Sequence, residues 1–144
     1  MISDGKIELT EAGIVIGQDF SEKKFLGSSL SSDSTNLVHN GEYRSYSIGR
    51  HLVGGILFAV SIFFESGRLK SLHLSPIDDA VVSFEDITDS ILNRQAKENR
   101  EWIARECGAV PPLSFDWGKI ESTCDRRSLN SLIVVSYLAN AATF

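Results

Sequence analysis

The chain has little of what recognisable chemistry needs. Its two cysteines, Cys107 and Cys124, do not form a CxxC pair and have no histidine close by, so neither a redox motif nor a zinc site is written in them. Buried free thiols in a reducing compartment are the reading that remains. The three histidines, His39, His51 and His73, stand apart, with no HxH or HExxH spacing among them. Glycines cluster at Gly49, Gly54 and Gly55, yet they match neither GxGxxG nor a Walker loop, and no GxSxG elbow occurs among the many serines. The longest apolar stretch, Leu52 to Phe64, is interrupted by Gly54, Gly55 and Ser61 and falls well short of the ~20 residues that span a bilayer. The opening Met-Ile-Ser-Asp-Gly-Lys-Ile-Glu lacks the basic region and apolar run of a signal peptide. A cytoplasmic protein without membrane contact, cofactor or metal is expected.

Positive charge is also scarce. The net charge is −5 and the pI about 5.1, and no basic cluster exceeds the pairs Lys23–Lys24 and Arg126–Arg127, which argues against a nucleic-acid partner. Between Lys70 and Arg94 there is no base at all, while Asp78, Asp79, Glu85, Asp86 and Asp89 fall in that interval. Acids at a helix start complement its dipole, and that accounts for most of them. The same five are the candidate docking patch for a basic partner.

What is present describes a fold. With 144 residues, 42% of them hydrophobic and 23% charged, the chain has the length and composition of one globular domain over 1–144. Residues 1–40 read as an N-terminal hairpin (Lys6–Thr10 with Gly13–Gly17), a short helix capped by Ser21 and ending near Gly27, and a polar loop through Ser34. Residues 41–138 read as sheet and one long helix. From Tyr43 the alternation places Arg44, Tyr46, Ile48 and Arg50 on one face and Tyr43, Ser45 and Ser47 on the other. Leu57–Phe64 is apolar on both faces, as in a central strand covered on both sides, or one with a helix on one side and a partner or loop on the other. Glu65-Ser66-Gly67-Arg68 turns it into Leu69–Leu74. A helix is expected from Phe84 to about Glu106 behind Ser83 as N-cap, stopped by Gly108, with Ile87, Ile91, Leu92, Ala96, Trp102, Ile103 and Cys107 on its apolar face. A second hairpin runs from Phe115 to Tyr137, and residues 139–144 form a frayed tail. The fold class is therefore α+β: one antiparallel sheet of about five to seven strands packed on a long helix, with a short N-terminal helix.

Certain residues carry a resemblance. Phe63-Phe64-Glu65-Ser66-Gly67-Arg68-Leu69, the Ser83-Phe84-Glu85-Asp86 helix opening, Phe115-Asp116-Trp117-Gly118, the Asp125-Arg126-Arg127 turn and the final Ile133–Tyr137 strand resemble a loose group of small, uncharacterised bacterial proteins. Some of these lie beside toxin genes or on mobile elements such as integron cassettes. The resemblance covers roughly residues 43 to 138 and implies a non-enzymatic, protein-binding domain of the immunity type, which neutralises a toxin. It implies no catalytic residue. A different function class stays open beside it: a small-molecule-binding domain or an enzyme with a pocket between sheet and helix, bordered by Tyr46, Arg50, His51 and His73. Self-association through an edge strand or sheet face is compatible with either.

Overall fold

The computed structural model describes residues 2, 4–78, 81, 83–125, 127 and 129–138, with backbone alone at 84. The expected tail at 139–144 lies outside the described residues. Nine strands and three helices are arranged as an antiparallel seven-stranded sheet, a separate two-stranded hairpin and one long helix, which is the α+β class expected.

The N-terminal hairpin pairs β1 (Ile7–Leu9) with β2 (Ile14–Ile16). It is followed by α1 (Glu22–Leu26), whose N-cap Ser21 accepts the Lys24 amide as its sequence position requires. The serine run behind it is not a loop throughout. Ser29–Ser32 makes one helical turn, α2, and the hydroxyls of Ser28, Ser31 and Ser34 donate to carbonyls three residues back. Thr35–Asn40, to which the sequence assigned no element, forms a strand, β3, exposed at all six positions.

The large sheet has the order β3-β4-β5-β6-β9-β8-β7. Its first half is a meander of β3, β4 (Tyr43–Val53), β5 (Ile56–Glu65) and β6 (Arg68–Pro76). Gly54-Gly55 and Ser66-Gly67, all at positive φ, close the two inner hairpins tightly. The chain then crosses as α3 (Asp89–Cys107) to the far edge, and β7 (Leu113–Phe115), β8 (Gly118–Asp125) and β9 (Asn130–Tyr137) meander back until β9 pairs with β6. A Cβ at Gly118 would overlap the Ser136 carbonyl oxygen, so only glycine lets β8 lie this close to β9.

The helix starts later than its acids suggested. Ser83 and Asp86 close a separate 3-10 turn over Phe84–Asp86, the Asp86 carboxylate accepting the Ser83 amide at 3.0 Å. Thr88, in extended conformation, is the true N-cap of α3 and accepts the Ile91 amide at 3.2 Å. The stop is as expected: Gly108 adopts the left-handed conformation and its amide closes on Ala104.

One face of the sheet is dry. Phe58, Val60, Ile62 and Phe64 of β5, Leu72 and Leu74 of β6, Ile133 and Val135 of β9, and Ile120 of β8 are all 1% exposed or less. Helix α3 covers the β8–β9 side. Trp102 stands edge-on to Phe58, its indole N–H donating to the Val53 carbonyl at 3.2 Å, and Ser131 Oγ donates to the Leu92 carbonyl at 2.9 Å. The N-terminal segment covers the rest of the same face. Phe25 packs on Tyr46 and Phe64, Thr10 bonds Leu52, and Tyr137 Oη donates to the Gly5 carbonyl at 2.9 Å. Both layers therefore lie on one side. The opposite side of β5 (Ala59, Ser61, Phe63) is half-buried, and of the two arrangements expected for this strand the contacts described fit a helix on one face alone. Serines on β4 and β6 flank Phe63, which explains why an apolar β5 leaves that face only modestly apolar.

The helix carries one polar residue into the dry layer. Asn99 is 2% exposed and its Nδ2 has no hydrogen-bond partner among the described residues. An unpaired buried amide costs about 1–3 kcal/mol, and replacing it with an apolar side chain of similar volume removes that cost. Asn99→Leu is accordingly expected to raise the melting temperature by a few degrees in a thermal unfolding scan.

Candidate functional site

Three features compete for a functional reading: a buried carboxylate cluster, a cavity at the end of the sheet where β4 and β6 meet the 77–87 segment, α3 and β9, and the other face and edge of the sheet.

The cluster is built by α1 and β4. Alternation puts Arg44 and Tyr46 on one face of β4, and that face meets the first residue of α1, Glu22. Glu22 is 8% exposed; Tyr46 Oη donates to its Oε2 at 2.7 Å and Arg44 Nη1 lies 3.4 Å from Oε1. Burial, and then the Glu22 carboxylate, push the Tyr46 hydroxyl above its usual pKa, so it stays a donor throughout the working range. This cluster was not visible in the chain, because a lone acid after an N-cap serine reads only as a dipole partner. Its elements are mutually satisfied, and its chemistry is that of a clamp holding α1 to the sheet.

The cavity, of about 390 Å³, is lined by Arg50, Ser75, Asp78, Gln95, Asn130 and Ser131 among the polar residues, with Ile77, Val81, Ile87 and Leu129 as its apolar wall. Of the four residues expected to border a pocket, Arg50 does so. Tyr46 is occupied by Glu22, His51 lies 2.7 Å from the Ile48 carbonyl through Nε2, and His73 sits on the uncovered face with its ring 4.3 Å from that of Phe63. None of those three lines the Arg50 cavity. Gln95, Asn130 and Ser131 reach it only through the return of β9 beneath α3, a juxtaposition with no local signal.

The acids of the candidate docking patch separate in a similar way. Asp78 turns into the cavity wall, where Arg94 pairs with it and Gln95 Nε2 donates to it at 3.1 Å. The gap in basic residues that ends at Arg94 is thus closed in space. Asp86 is engaged by the Ser83 amide, Glu85 and Asp89 face solvent, and Asp79 lies outside the described residues. The described residues hold no group of three or more His, Cys, Asp or Glu side chains placed to share a metal ion. Both cysteines are free, and burial, followed by the charge of Glu106, raises the Cys107 thiol above its usual pKa. No helix of the described residues is long and apolar enough to cross a membrane.

An α+β domain with one covered sheet face, one uncovered face and two unequal edges is what these elements define. No family model matches the chain, and no curated protein matches it. One solved structure resembles it, described as Rhs1-CT in complex with cognate immunity protein RhsI1. A chain of that complex superposes with a TM-score of 0.53 at 20% identity, covering 98% of this chain and 85% of its own length. What the two share is the fold.

Two outcomes test this description. Removing the Tyr46 hydroxyl leaves a buried carboxylate with one ligand fewer, so Tyr46→Phe should lose about 1–3 kcal/mol in a denaturant titration. Burial also lowers the pKa of His73 below the ordinary imidazole value. Its protonated form is disfavoured in the folded state, so the unfolded chain takes up the proton first as pH falls. Stability from this group is full above about pH 6.5 and declines below it, through the lowered folded value. The slope of stability against pH in that window should flatten in His73→Asn.

Proposed function

We propose that this chain is a single-domain, non-enzymatic protein-binding module of the immunity type, which occupies a bacterial toxin and blocks it. The carrying observation is the likeness over nearly the whole chain to a chain of a complex containing a cognate immunity protein. The motif resemblance of residues 43–138 supports the same reading from an independent direction. A net charge of −5 suits a basic toxin, because opposite fields accelerate encounter and make it sensitive to salt. Glu85 and Asp89 are the exposed members of the acidic stretch that would contribute to this field.

A ligand-binding reading is favoured by one observation, the 390 Å³ cavity in which Arg50 meets Gln95, Asn130 and Ser75. Among the described residues the Arg50 guanidinium has no ion-pair partner, which suits an anionic ligand.

Growth protection separates the two. The chain is tagged in its native host, and any protein that co-purifies at low salt is expressed alone and with the chain. The immunity reading expects growth arrest from the partner's toxic region, relief on co-expression, and weaker capture at high salt. A co-purifying protein whose toxicity is unchanged by the chain, or no toxic partner at all, would overturn it. Full protection by Arg50→Ala would place the cavity outside the function.

A further inference from the structure

The two edges of the seven-stranded sheet differ in a way that identifies a docking strand. Edge strands expose unpaired amides and carbonyls, and proteins blunt them with short length, proline or charge. Edge β7 follows this rule: it has three residues and follows Pro111-Pro112, which have no amide to donate. Edge β3 does not. It has six residues, none of them charged and none proline, and Leu37 and Val38 at its centre are 52% and 47% exposed. Its one blunting feature is a bulge between Asn36 and Val38, after which pairing with β4 resumes from Val38 to Asn40.

We infer that β3 is the edge on which a strand of a protein partner is added, and that this strand is apolar at its centre and carries Lys or Arg at both ends. The charge pattern fixes the chemistry of the occupant. From residue 25 to residue 43 the only charged side chains are Asp33 and Glu42, one beyond each end of β3, and both are exposed. Neither takes part in an ion pair among the described residues. Two bases beside this edge are committed to other groups, Arg44 to Glu22, and Lys70 to Glu65 and the face of Tyr43. The outer rim of this edge is therefore apolar in the middle and negative at each end. A second copy of the chain fits it poorly. Antiparallel self-pairing centred on Leu37 and Val38 would lay Asp33 against Glu42 at both ends, two like-charge contacts. Val38 shares the uncovered face with Ser45 and Phe63, so an added strand would extend that face without a step.

This inference rests on the protein-partner reading, and its test is independent of whether that partner is a toxin. The probe is a ten-residue synthetic peptide of alternating Val and Thr with two lysines at each end, compared with the same peptide ended by glutamates. Hydrogen exchange of the full chain should slow within Thr35–Asn40 on adding the lysine-ended peptide. The glutamate-ended peptide should bind at least about tenfold more weakly, as should the lysine-ended one to the Asp33→Asn, Glu42→Gln variant. No slowing at β3, or equal slowing by both peptides, would overturn the inference. So would a concentration-dependent dimer by light scattering whose β3 amides are already protected without peptide. Where the chain does protect cells, Val38→Lys with an unchanged melting temperature should abolish protection, and protection equal to wild type would also overturn it. Where it does not protect cells, the toxin reading fails alone and the peptide comparison still decides.

Discussion

The pairing of β6 with β9 is the contact on which the rest of the molecule depends. Each of the two meanders is a set of local hairpins, and the helix that covers β8 and β9 meets Phe58 and Val53 of the first meander only once the two are joined. When Leu72 lies opposite Val135 and Leu74 opposite Ile133, four side chains with no exposed area fuse the two sets into one sheet. The helix linking β6 to β7 must then cross that sheet, because its ends are fixed at the centre and at the far edge. Trp102 and Ser131 lock it there through bonds to backbone carbonyls of β4 and of the helix itself. Bonds of this kind are worth about 1 kcal/mol each, small beside the burial of the apolar layer, but they select one position along the sheet.

With α3 filling half of the dry face, the N-terminal segment takes the other half. Its clamps are polar at both ends of its path: Tyr137 to the Gly5 carbonyl near the start, and the Glu22–Tyr46–Arg44 cluster further on. Putting both layers on one side has a consequence for function. Among the described residues β3 pairs with β4 alone, so its outer edge stays open, while the cavity of Arg50 lies at the other end of β4.

The strands and turns were legible in the chain because their signals are local. Gly67 marks a hairpin turn and Gly108 a helix stop, and Ser21 marks a helix start. The start of the long helix misled, since Ser83 with Asp86 makes the same capping bond around a single 3-10 turn that it would make at the head of a helix. Thr35–Asn40 received no element from the sequence, because strand signals come from burial and an edge strand whose side chains are all exposed has none. Arg50 shares its cavity with Gln95 and Asn130, which come from α3 and β9, elements that no spacing relates.

The sequence by itself determined the element types, the two hairpin families, the α+β class and the acidic balance, because each follows from neighbours within a few residues. Only the tertiary structure decided the strand order, which face of β5 is dry, where Asp78 and Arg94 meet, and that β3 is an open edge. Those outcomes depend on contacts between residues tens of positions apart, whose free energy appears only once β6 and β9 have come together. The acids make the point at the smallest scale. Five carboxylates without a base read as one patch along the chain, whereas in space Asp78 pairs with Arg94, and Asp33 and Glu42 flank the β3 edge without an ion pair among the described residues.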